Sequence, residues 1–346
     1  MDSLTQISKK LAYDLDLLEW TNWVKQNKFE LFRAKQIVEW LYKRHIENWS
    51  ECSNLSKMLK EKLEQDFIIS PFQSIDVKIA LDDGTKKAVL TLYDGQKVEA
   101  VLMNERDRYT LCISSQVGCA MDCKFCATGK MGFMRNLSCG EILGQWIWAC
   151  RNSDKKDVDN VVYMGMGEPF LNYDNVLKTL NMLQADWGGS LGARRITVST
   201  VGVLSKIKQF AVDGGQVRLS VSLHGLTDTM RLATMPIHKG YDMQKLKETI
   251  QAYYEKSGRR ITLEYVLIKG VNDNTIYAQE LVRDFKPYVH TMNVIYYNPI
   301  SQEDFQACSQ EETRRFVEAI EYEGMHVTVR FSKGRSIQAA CGQLIK

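Results

Sequence analysis

Cys119, Cys123 and Cys126 stand in the run CAMDCKFC, a C-x3-C-x2-C spacing that gathers three thiol ligands on one short loop. Structural zinc closes a tetrahedron of four protein groups, and an ordinary ferredoxin cluster takes four cysteines. Three ligands suit a [4Fe-4S] cube that keeps one iron open to a small molecule. The competing reading is a zinc knuckle completed by Cys112, Cys139 or a histidine. Against it, no histidine lies between Cys112 and Cys139, and Cys112 belongs to the apolar run Leu111-Cys112-Ile113, which reads as a strand entering the loop.

Such a loop needs a rigid support, and the chain supplies a repeating one. Strand patterns are expected at Thr110 to Ser114, Val158 to Met164, Arg195 to Thr200, Val217 to Leu223, Ile261 to Ile268 and Met292 to Tyr297. Helical patterns follow each in turn, near Cys139 to Arg151, Asp174 to Asp186, Leu204 to Val212, Asp242 to Lys256, Asn274 to Phe285 and Gln310 to Glu323. Six strand-helix repeats predict an α/β fold, with a parallel sheet and right-handed crossovers, curved into a partial barrel or wound open. Sites in such folds form beyond the C-terminal strand ends. CAMDCKFC, GMGEP, STVG, SLHG and YNP all fall at those ends. Upstream, Ile37, Trp40 and Leu41 mark a helical unit from about Leu11 to Leu63. Two alternating runs flank Asp94-Gly95 as a β-hairpin leading into the cysteine segment.

The 346 residues, 45% hydrophobic, suffice for one large core with a smaller accessory unit. No signal-peptide pattern or membrane-length apolar stretch is evident, so a cytoplasmic chain with no membrane partner is expected. There clustered cysteines favour metal or catalytic use over disulfides. A net charge of +3 does not by itself identify a nucleic-acid partner. The local basic cluster is Lys25, Lys28, Arg33, Lys35, Lys43 and Arg44 against Glu30 and Glu39.

Taken singly, the remaining polar positions have bland readings. Gly165 and Gly167 suit a tight turn. Ser199, Ser222, His224 and Asn298 suit caps and turns, but as a ring around one barrel mouth they suit a ribose or carboxylate. Cys52, Cys150 and Cys308 read as small buried hydrophobes, and Cys139 as a turn residue.

The cysteine spacing resembles the signature of radical S-adenosylmethionine (SAM) enzymes. CISSQVGCAMDCKFCATGKMGFMRNL, with GEILGQ, VVYMGMGEPFLN, RRITVSTVG, SVSLHG and the terminal AACGQL, resembles more narrowly the RlmN/Cfr family of radical SAM RNA methyltransferases. FRAKQIVEWLYKR and NLSKMLKEKL resemble that family's accessory helices, so the likeness covers nearly the whole chain. It implies a partial (β/α)6 barrel at 109–346, a helical RNA-binding domain at 1–70 and a β-hairpin linker at 71–108.

The same resemblance implies a [4Fe-4S] cluster on Cys119, Cys123 and Cys126, and two SAM molecules per turnover. Gly167, Glu168, Ser199, Ser222, Leu223, His224 and Asn298 become SAM contacts. One SAM methylates the Cys341 thiolate; the second yields a 5′-deoxyadenosyl radical that removes hydrogen from that methyl group. The resulting methylene radical adds to an adenine carbon, Glu99 stands where the family's proton acceptor does, and Cys112 attacks the Cys341 sulfur to release the methylated base. A transient Cys112–Cys341 disulfide then requires reduction.

Val117 and Pro169 resemble the branch that methylates adenine C2 of 23S rRNA, and in many members tRNA. The C8 branch, which confers antibiotic resistance, more often has cysteine and alanine there. A flavodoxin or ferredoxin as electron donor and a monomeric state are expected. The chain departs from the family pattern at SLHGLTD, at His238 in MPIH, and at Ser336-Ile337-Gln338. A radical SAM enzyme with a non-RNA substrate would have no use for Cys341, and a non-catalytic zinc protein would be colourless.

Overall fold

A computed structural model describes residues 9–225, 227–236, 242–300 and 305–344; His238 lies outside them. Ten strands form one sheet: β1 (Phe72–Ile79), β2 (Lys86–Leu92), β3 (Lys97–Glu105), β4 (Arg108–Cys112), β5 (Asn160–Tyr163), β6 (Ile196–Thr200), β7 (Arg218–Ser222), β8 (Ile261–Leu267), β9 (Val289–Tyr296) and β10 (Val327–Arg330). Neighbours in the sheet follow chain order from β1 to β10. β1 to β4 pair antiparallel, and β4 to β10 pair parallel. The hairpin strands are therefore continuous with the barrel sheet.

Helices occupy the predicted intervals. Three belong to the N-terminal unit, α1 (Leu17–Gln26), α2 (Phe32–Tyr42) and α3 (Lys57–Asp66). The crossovers carry α4 (Cys139–Asn152), α5 (Tyr173–Gln184), α6 (Leu204–Asp213), α7 (Met243–Ser257), α8 (Thr275–Phe285) and α9 (Gln310–Tyr322). α4 starts with a capping box: Ser138 Oγ accepts from Glu141 N–H and Glu141 accepts from Ser138 N–H. Cys139 is thus the first residue of a helix rather than a turn residue, and it is buried against Met182 and Thr179. Cys52, Cys150 and Cys308 are buried as expected.

The helical unit seats on the barrel through contacts that its sequence only partly announces. Tyr42 packs on Trp146 and Trp187, and Arg151 donates to the carbonyls of His45 and Ile46. Lys43 of the basic cluster is tied to the Gly188 carbonyl and Ser190; Lys25, Lys28, Lys35 and Arg44 remain exposed. Among the described residues no helix is long and apolar enough to cross a membrane.

Candidate active site

The C-terminal ends of β4 to β9 converge on one mouth. Cys119, Cys123 and Cys126 line it together with Gly167, Glu168, Ser199, Ser222, His224, Asn298 and Cys341. Leu223 is the exception among the expected contacts. Its side chain is in the core, its carbonyl accepts from Arg231 at 2.8 Å and its N–H donates to the Glu264 carbonyl at 2.9 Å, so its backbone groups are already engaged.

The cysteine loop is held from several sides. Cys119 N–H donates to the Gly132 carbonyl at 3.0 Å, Lys124 N–H to the Thr234 carbonyl at 2.9 Å, and Ala127 N–H to the Gly342 carbonyl at 2.7 Å. Gly118, just before the first cysteine, has φ of +72°, and a Cβ there would lie 1.9 Å from the Gly132 carbonyl oxygen. Only glycine fits that approach. Gly167 is constrained likewise, with φ of +97° and a hypothetical Cβ 2.5 Å from Gln116 Cβ. GMGEP therefore packs directly against Gln116, three residues before the first loop cysteine.

Burial pushes the Cys119 thiol up to about 12 and raises Cys123 and Cys126. As free thiols they are neutral, and a cationic centre is what would favour their thiolate forms. Among the described residues no group of three His, Cys, Asp or Glu side chains is arranged as a metal site; what fits a cluster here is the donor set, three cysteine sulfurs lining one mouth.

Glu168 is buried, and its two carboxylate oxygens accept from Phe170 N–H at 3.0 Å and Val201 N–H at 2.8 Å. Burial raises its carboxyl to about 7 despite these bonds. Asn298 is occupied by the C-terminal strap: its amide donates to the Cys341 carbonyl at 3.3 Å and its carbonyl oxygen accepts from Ser332 at 2.8 Å. With the strap docked, the space at this mouth is about 150 Å³.

His224 accepts from Val266 N–H at Nδ1, 2.9 Å away, which leaves the ring proton on Nε2. Burial, with Arg231 adding, lowers its pKa from 6.5 to about 3. Below pH 6.5 the unfolded chain binds a proton that the folded one refuses, so stability falls as pH drops from about 6.5 towards 3. At pH 5 the loss is about 2 kcal/mol. His224→Gln should therefore show a smaller fall in Tm between pH 7 and pH 5 than wild type; equal falls would mean the ring is free to protonate.

Residues 113–278 match the Radical SAM superfamily, and residues 2–69 match the ribosomal RNA large subunit methyltransferase N-terminal domain. A protein of Dictyoglomus turgidum named probable dual-specificity RNA methyltransferase RlmN is 43% identical over 316 residues, 90% of each chain. One of the same name from Clostridium perfringens (strain 13 / Type A) is 40% identical over 97% of this chain and 96% of its own. The chain belongs to the RlmN family. The crystal structure of a radical SAM methyltransferase from Sphaerobacter thermophilus superposes with a TM-score of 0.92 at 39% identity, covering 96% of this chain and 98% of that one. As an RlmN-family member the chain is a radical SAM methyltransferase, an enzyme class that uses a 4Fe-4S cluster and SAM.

The remaining residues expected of an RlmN-family enzyme sit in register with one another. Lys87 on β2, Val101 on β3 and Cys112 on β4 are opposite partners across three strands, so their side chains share a face. Glu99, two residues from Val101, points to that same face. It does not line the mouth; Lys87 Nζ lies 3.2 Å from its carboxylate, with both side chains at most 2% exposed. Lys87 also donates to the Gln338 carbonyl at 3.2 Å, joining this pair to the strap before Cys341. Lys87→Met would leave the Glu99 charge buried without the ammonium, at an expected cost of about 3 kcal/mol. Denaturant unfolding of the anaerobic protein would measure it. Adding Glu99→Gln should recover part of the loss, and strict additivity of the two changes would argue against the pair.

Sequence reasoning missed Lys87, Arg231 and Glu264. Arg231 is buried and donates to the carbonyls of Val201, Ser222 and Leu223, pinning the ends of β6 and β7. Glu264 is buried beside Ser220 Oγ at 2.6 Å and Asn293 Nδ2 at 2.8 Å. An acid inside the apolar strand ITLEYVL was the available signal.

Proposed function

We propose that this enzyme methylates C2 of a specific adenosine in 23S rRNA, and of adenosine in tRNA, with Cys341 carrying the methyl group and Cys112 releasing the product. The observation that carries this reading is the position of Cys341: it borders the mouth lined by the three loop cysteines and also shares a second, interior cavity with Cys112. Relatives with whole-length likeness are named dual-specificity RNA methyltransferases, and Val117 and Pro169 favour C2.

Cys119, Cys123 and Cys126 would hold a [4Fe-4S] cluster, whose chemistry is one-electron reductive cleavage of SAM at the open iron. Glu168 suits the SAM ammonium, and Ser199, Ser222, His224 and Asn298 offer polar groups to its ribose and carboxylate. Cys341 is open to both cavities by area yet enclosed by protein, which pushes its thiol up to about 11. Its methylation consumes one SAM by polar transfer to sulfur. After hydrogen abstraction, carbon addition to adenine links enzyme and RNA. Glu99, held by Lys87, would accept the proton lost from the adenine carbon while the adduct's unpaired electron would return to the cluster; Cys112 thiolate then attacks the Cys341 sulfur, forming the S–S bond as the carbon–sulfur bond to the RNA product breaks, and the released carbon takes up a proton to become the methyl group.

Residues 1–70 are the RNA-binding domain in this reading and 71–108 the linker to the core at 109–346. Lys25, Lys28, Lys35 and Arg44 would meet phosphate, and the target adenosine must be unstacked to reach the mouth. A cytoplasmic monomer served by flavodoxin or ferredoxin completes the picture. The test is to incubate reconstituted enzyme with unmodified rRNA and tRNA, digest both, and compare the methyladenosine isomer with standards. 2-Methyladenosine is expected; 8-methyladenosine alone would move the enzyme to the other branch.

A further inference from the structure

Behind the mouth, the barrel interior contains a cavity of about 730 Å³. It extends from Cys112 and Cys341 to the opposite end, where β6 to β10 begin. Arg194, Arg218 and Arg260, all exposed, line that end together with His290 and His326, while the exposed Arg330, at the C-terminal end of β10, lines the cavity nearer Cys341. Arg259 lines it too, but its guanidinium is bonded to the carbonyls of Val217, Phe210 and Ala211. Against these cations, Glu264 is the one carboxylate among the described lining residues, and Ser220 and Asn293 already bond it. The methyl-transfer chemistry at the mouth gives no role to this basic rear opening, although both transfer cysteines face it.

We propose that the rear cavity admits small anionic thiols, which reduce the Cys112–Cys341 disulfide from behind. The inference rests on the transfer mechanism above. A thiolate attacks one of the two bridged sulfurs, forming a mixed disulfide and releasing the other cysteine as thiolate. A second thiolate attacks the mixed disulfide, releasing the second cysteine and a small-molecule disulfide. Two thiols thus supply two electrons, and the two protons they give up return to Cys112 and Cys341. A cationic rim concentrates the thiolate, the reactive form, and an added carboxylate or sulfonate strengthens the attraction. The route also leaves the mouth to SAM and RNA.

The test uses cluster-loaded enzyme oxidised by one turnover. Its disulfide is reduced with 2-mercaptoethanesulfonate or with 2-aminoethanethiol, and rates are compared per thiolate. The sulfonate should be faster by roughly tenfold at low salt, and Arg218→Glu with Arg260→Glu should abolish the difference. Both arginines are exposed at strand starts, and the cluster absorbance reports whether the variant keeps its fold. Equal rates in wild type, or a preference that survives the double substitution, would overturn the proposal. A second arm labels Cys112 in the reduced holoenzyme with anionic and cationic methanethiosulfonates, located by peptide mass. Here too anionic preference, lost in the double variant, is expected, and equal labelling would overturn the proposal. If turnover leaves no disulfide, the transfer mechanism fails, while the labelling arm still decides whether the cavity selects anions.

Discussion

Cys112→Ala is expected to abolish multiple turnover and to accumulate enzyme covalently joined to RNA through Cys341. Cys112 ends β4, directly opposite Val101 and beside Val162, and it shares the rear cavity with Cys341. Burial and the neighbouring Cys341 raise its thiol above the ordinary range, so attack requires a base or a charge change at the moment of release. Without that sulfur, the carbon–sulfur bond made to the adenine has no nucleophile to break it. The adduct would appear as a shifted band on a denaturing gel that nuclease digestion collapses to a nucleotide-modified Cys341 peptide. A Cys112→Ala enzyme that turns over normally, or that forms no adduct, would remove Cys112 from the mechanism.

Cys119→Ala should lose the cluster. Wild-type protein prepared anaerobically is expected to be brown, with about four irons per chain, and the variant colourless, without detectable radical cleavage of SAM. Two ligands cannot replace three when the remaining cysteines, Cys123 and Cys126, are raised by burial and need the cationic centre to ionise. The fold should survive, because the loop is held by backbone bonds to Gly132, Thr234 and Gly342 that do not use the Cys119 side chain. A colourless wild type containing zinc would sink the radical reading itself.

The parts legible in the sequence are those where local pattern and tertiary demand coincide. The six expected strands appear at β4 to β9, displaced by at most a few residues, because each is a short apolar run with turn chemistry after it. β10 was missed: four residues, VTVR, half-buried at the sheet edge, carry too little alternation. β1 escaped for a related reason, since its Ile75, Val77 and Ile79 face outwards and remain 41%, 41% and 54% exposed. At the site, the cysteine triplet and the polar strand-end residues were found because motif and topology both mark them. Gly167 lines the mouth as expected, and its close approach to Gln116 is a second constraint that the sequence did not reveal. Lys87 was invisible, and Glu264 was passed over, because their meaning is relational. A lysine on a hairpin strand becomes informative only when register sets it against Glu99, and an acid in a strand only when the barrel closes around it.

The most direct test follows the methyl group. The cluster-loaded wild type and Cys341→Ala enzymes are each given isotopically labelled methyl-SAM, a reductant and unmodified RNA. Both the Cys341-region peptide and the digested RNA are then read by mass spectrometry. Labelled methyl on Cys341 and in wild-type RNA, with none in RNA from the variant, is the predicted result. Labelled methyladenosine made by Cys341→Ala enzyme would contradict the carrier role of Cys341.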